Sequence, residues 1–240
     1  MNSMLGPCRR GLTALILIAC VGCPDSSEAE RQAELDAAWA RTQAKLTSLS
    51  AQLPKLATAA AELERVAAPR WELEGPVDCR PQAGAERNAL VVQVEELGAG
   101  QPSYLLNLGD QGVLRTVEAV GAGEVPSSVV DMVAASGLRY ALLVRVHEVK
   151  GPVVPEGDVS KFEPGWVRGD VLLFDVEDGA CKASFPFEGT NSEAVQPGVE
   201  DPEQWAQDDL FRRTRRAIHD GIEALGPGNQ GPLASEERLR

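Results

Sequence analysis

The stretch "GDVLLFDVEDGACKASFPFEG", Gly169 to Gly189, carries the fold. Two runs rich in aliphatic and aromatic residues flank Asp178-Gly179, the pair favoured in two-residue hairpin turns. Pairing outward from that turn sets Val176 opposite Cys181, Phe174 opposite Ala183 and Leu172 opposite Phe185. On the other face Asp175 meets Lys182, an oppositely charged cross-strand pair. That register predicts a hairpin with one apolar and one mostly polar face.

Outward from the hairpin, the order of elements defines the class. Before it lies "LRYALLVRVHEV" (138–149), the strongest single strand, with Tyr140, Leu142, Val144 and Val146 on one face. "PSSVVDMVAASG" (126–137) reads as a short helix and "NALVVQVEEL" (88–97) as a strand, while 103–121 fits helix or strand equally. After the hairpin, Asp201 caps a helix with Pro202 in its first turn and Gly226-Pro227 at its end. Leu210, Phe211, Thr214, Ile218, Ile222 and Leu225 form its inner face. The expected fold is α+β, a small antiparallel or mixed sheet with helices on one face. This order, with its hairpin-then-helix ending, resembles small envelope domains such as the TolB amino-terminal domain and the penicillin-binding-protein activator lipoproteins. The resemblance covers about 90 residues and implies partner binding.

Upstream, "SSEAERQAELDAAWARTQAKLTSLSAQLPKLATAAAELERVAAP" begins with a capping box, Ser27 and Glu30. Leu35, Trp39, Thr42, Leu46, Leu49, Leu53, Leu56, Ala60, Leu63 and Ala67 then recur at spacings of three and four. Such a stripe predicts a long helix over 28–68, kinked or divided at Pro54 and stopped by Pro69. Two arrangements are open: a coiled-coil stalk that also allows oligomerisation, or a helix packed on the domain. Residues 69–87 read as a Pro/Gly-rich linker, 88–226 as the α+β domain and 227–240 as a disordered tail.

At the N-terminus, Arg9-Arg10 precede an apolar run that ends in "LIACVGC", Leu17 to Cys23. The run is far shorter than the roughly 20 residues a membrane span needs, and the pattern is that of a secretory signal over 1–19. Leu17-Ile18-Ala19-Cys20 resembles the lipobox of bacterial lipoproteins. The resemblance implies a lipid on the Cys20 thiol, a tether over 20–27 and an exported, membrane-anchored chain. With Val21 following Cys20 it further implies the outer membrane, facing the periplasm, in a Gram-negative cell. Cys23 is the alternative: it lengthens the apolar run and leaves Cys79 and Cys181 as an even pair. A Cys79–Cys181 disulfide would tie the linker to the sheet and stabilise by about 4–5 kcal/mol through loop-closure entropy.

Charge narrows function further. The chain has 23 basic and 36 acidic residues, a net charge of −13, and losing residues 1–19 makes it −15. That balance disfavours nucleic acid. His147 reads as a surface imidazole and His219 as a cation favoured near a helix end. Neither sits in a zinc-binding spacing, and no cofactor or metal is expected. Asp170, Asp175, Glu177 and Asp178 read mostly as a strand end, a cross-strand pair and a turn. Within "RRTRR" (212–216), Arg212, Arg213 and Arg216 each lie four residues from an aspartate, which makes a self-neutralised face. The long loop 150–169 carries Phe162 and Trp166, either a lid on the core or a binding surface. The sequence thus points to a non-catalytic binding or scaffolding lipoprotein with an envelope protein partner. An envelope enzyme acting on cell-wall or glycan substrate through acidic residues is the alternative.

Overall fold

Residues 28–73, 75–80, 87–94, 111–126, 128–155, 161–194 and 200–232 are described by a computed structural model of the chain. Helix α1 spans Glu28–Glu62, and strand β1 is the short Arg70–Trp71. Strand β2 spans Ala89–Gln93, helix α2 Gln111–Gly121 and helix α3 Val129–Gly137. Strands β3, β4 and β5 are Tyr140–Lys150, Trp166–Asp175 and Cys181–Thr190, and helix α4 is Pro202–Ala224. The five strands form one mixed sheet in the order β1-β5-β4-β3-β2, with only β2 and β3 parallel. The α+β class expected from the sequence therefore holds. No helix among the described residues is long and apolar enough to cross a membrane.

Helices cover both faces of this sheet, not one. Helices α1, α2 and α3 pack on one face through Leu46, Leu49, Leu53, Leu56, Val117 and Met132, against Leu90, Val92, Ala141, Leu143, Leu172 and Phe174. Helix α4 packs on the other through Leu210, Ile218 and Ile222, against Val91, Leu142, Val144, Val171, Leu173 and Phe185. Strands buried on both faces carry near-continuous apolar runs rather than alternation. "ALVV" in β2, "ALLV" in β3 and "VLLF" in β4 are such runs, and all of these residues are buried.

The hairpin forms in a different register. Leu173 pairs with Ala183, Leu172 with Ser184 and Val171 with Phe185, and an irregularity sets Phe174 against Cys181. Side chains in the loop explain the shift. Asp175 Oδ1 accepts from the Glu177 amide and Asp178 Oδ1 from the Ala180 amide, two Asx-type bonds that widen the loop beyond two residues. Gly179 closes it at a φ of 71°, a conformation costly for other residues. Asp175 consequently pairs with Arg139 at 3.2 Å, and Lys182 with Asp178 at 2.7 Å. A one-residue slip turns side chains to the opposite face. Ala183, Phe185 and Phe187 therefore face α4, while Leu172 and Phe174 face α1.

Helix α1 runs unbroken through Pro54 and ends at Glu62, well before Pro69. From Leu46 to Ala60 its stripe is part of the core, Trp39 is half-buried against it, and Leu63 is exposed. The helix is thus packed on the domain over this length rather than standing off as a stalk. The linker belongs to the domain as well. Arg70 and Trp71 pair with Ser184 and Ala183 at the edge of β5, and Val77 and Cys79 are buried on the α4 face. The first residues of the expected tail are ordered: the Gln230 amide donates to Val77 O, and Asn229 Nδ2 donates to Ile222 O near the end of α4.

Candidate functional site

Helix α1 has no glycine or basic residue in its last turn, so its final carbonyls need donors from elsewhere. Arg145 of β3 supplies them. Its guanidinium donates to Ala60 O, to Leu63 O at 2.7 Å and to Glu64 O at 3.0 Å. The same group forms a fork with Asp170 of β4, Nε to Oδ1 and Nη2 to Oδ2, each at 2.7 Å. Asp170 Oδ2 also accepts from the Val66 amide at 2.9 Å. His147 Nε2 lies 2.9 Å from the same oxygen, an ion-pair separation without hydrogen-bond alignment. Burial pushes the Asp170 carboxyl up, but the bonds from Arg145 and the Val66 amide, with the His147 imidazole close by, outweigh it and hold it below the usual carboxylate range.

This cluster overturns the surface reading of His147, whose side chain is 19% exposed, and it buries Arg145 and Asp170. A bulge between Val146 and Glu148 sits at His147. Chemically the arrangement is a latch: it satisfies a helix C-terminus and fixes the chain leaving it to the sheet. A second buried network joins α4 to the end of β5. Asp209 accepts from the Ser192 amide at 2.7 Å, from Arg212 at 2.6 Å and from Asn191 at 3.3 Å. Asn191 Oδ1 in turn accepts from the Gly165 amide. Burial raises the Asp209 carboxyl, but these donors again hold it low. The arginines of 212–216 are largely self-neutralised as expected, with Asp209 rather than Asp208 pairing Arg212.

One concavity lies between α1 and the β4–β5 turn. It has a volume of about 420 Å³ and is lined by Lys45, Ser48, Leu49, Leu138, Arg139, Val176 and Glu177. Leu49, Leu138 and Val176 are buried and form its floor, while Lys45, Arg139 and Glu177 stand exposed at its rim. Lys45 Nζ donates to Ser136 O at 2.6 Å, which ties α1 to the end of α3. Sequence reasoning did not single out this groove, because its residues come from three separated segments.

The other candidates scatter. Cys20 and Cys23 lie outside the described residues. The expected Cys79–Cys181 disulfide is absent: Cys79 is buried on the α4 side, and Cys181 packs half-buried against the α1 side. The sheet stands between them, and burial pushes the Cys181 thiol up. Phe162 and Trp166 are both half-buried and join neither core cluster. Trp166 opens β4 with the Arg168 guanidinium 4.4 Å from its ring centre, and Arg168 also pairs with Glu188. His219 is buried in the last turns of α4, with Nε2 3.1 Å from Glu223 Oε1. Among the described residues no three His, Cys, Asp or Glu side chains converge as a metal site would require.

Fold and site together define a mixed α+β domain with its sheet enclosed between helices. No family model matches the chain, and no curated protein does. Among solved structures it is similar to a "putative lipoprotein from Caulobacter crescentus CB15", at 20% identity and a TM-score of 0.33, over 60% of this chain and 91% of that one. At that score the likeness carries no weight on function.

Proposed function

We propose that this chain is a bacterial lipoprotein, lipid-modified at Cys20 with Cys23 as the alternative, that holds a non-catalytic binding or scaffolding domain at the exported face of an envelope membrane. The observation that carries the reading is Leu17-Ile18-Ala19-Cys20 at the end of a short apolar run behind Arg9-Arg10. The fold is compatible with it: α1, which follows the proposed anchor in the sequence, is bonded to the sheet by Arg145 at its C-terminal end. An anchor joined that way would position the domain rather than leave it on a loose tether. Of the four acidic residues on which the enzyme alternative draws, three have structural partners: Asp170 with Arg145, Asp175 with Arg139 and Asp178 with Lys182.

The test is mass spectrometry of the N-terminal tryptic peptide from membranes of cells making the full chain. The expected peptide starts at Cys20, ends at Arg31 and carries a diacylglyceryl group on the thiol. Cys20→Ala abolishes the modification and Cys23→Ala spares it; the reverse pattern assigns the lipid to Cys23. An unlipidated chain, processed at neither cysteine, sinks the proposal.

A further inference from the structure

We draw no further inference here: the strongest candidate, the outer face of α1 on which Ala33, Ala37, Ala40, Ala44, Thr47 and Ala51 stand exposed at helical spacing, is a stripe of small residues, and nothing in the structure shows what covers it.

Discussion

Replacing Arg145 by leucine tests the latch between α1 and the sheet, and the structure sets its size. The substitution removes a two-bond fork to Asp170 and three bonds to the carbonyls of Ala60, Leu63 and Glu64. Asp170, 1% exposed, would keep only the Val66 amide and His147. Breaking a buried ion pair from one side costs about 3–5 kcal/mol, because the remaining charge is stranded. Against a total of about 5–15 kcal/mol for a native domain, that is a large share. At a urea slope of about 2 kcal/mol per molar, the midpoint falls by about 2 M. Asp170→Leu should cost less, since Arg145 keeps its three carbonyl partners. The double variant, Arg145→Leu with Asp170→Leu, strands no charge and should be more stable than Arg145→Leu alone. Equilibrium urea denaturation of the four chains, followed by far-ultraviolet circular dichroism, gives the coupling energy. Singles costing below about 1 kcal/mol, or effects that simply add in the double variant, would refute the reasoning.

Further outcomes follow from the same packing. A Cβ at Gly221 of α4 would lie 2.2 Å from the Phe185 ring, so Gly221→Ala should destabilise by about 1–3 kcal/mol in thermal unfolding despite alanine's better helix propensity. Asp170, Asp209 and Asp78 all have folded-state carboxyls held below their ordinary value near 3.9. Their contribution is complete above that value and is lost as pH falls below it toward the lowered folded-state values. The urea midpoint should stay level from pH 7 to 5 and drop by pH 3; an unchanged or higher midpoint at pH 3 contradicts the assignment. Alkylation under denaturing conditions without reductant should label both Cys79 and Cys181, and in the native chain Cys181 should react ahead of the buried Cys79.

Elements whose ends carry their own chemistry were legible in the sequence. Asp201 caps α4 by accepting from the Gln204 amide, and Pro202 opens the helix. The face of β3 carrying Tyr140, Leu142, Val144 and Val146 also lies as its alternation predicts. The hairpin register was not legible, because β4 is apolar on both faces and a slip exchanges one buried set for another. His147 looked like a surface residue because a polar ring in a strand usually means solvent, and Arg145 was not singled out. The available clue was negative: α1 lacks a C-terminal glycine or basic last turn, so a donor had to come from a distant strand. The groove was invisible because its residues adjoin only through the packing of α1 against the end of α3 and the β4–β5 turn.

The central structural claim is that α1 is built into the domain over its second half and latched at its end. Hydrogen exchange along the helix tests it most directly, resolved to peptides by mass spectrometry. The account predicts that amides over 46–60 exchange as slowly as those of β3 and β4, with markedly faster exchange over 33–41, where the helix is largely exposed. Uniformly fast exchange from 33 to 60, with the sheet still protected, would show a helix standing off the domain and contradict the account.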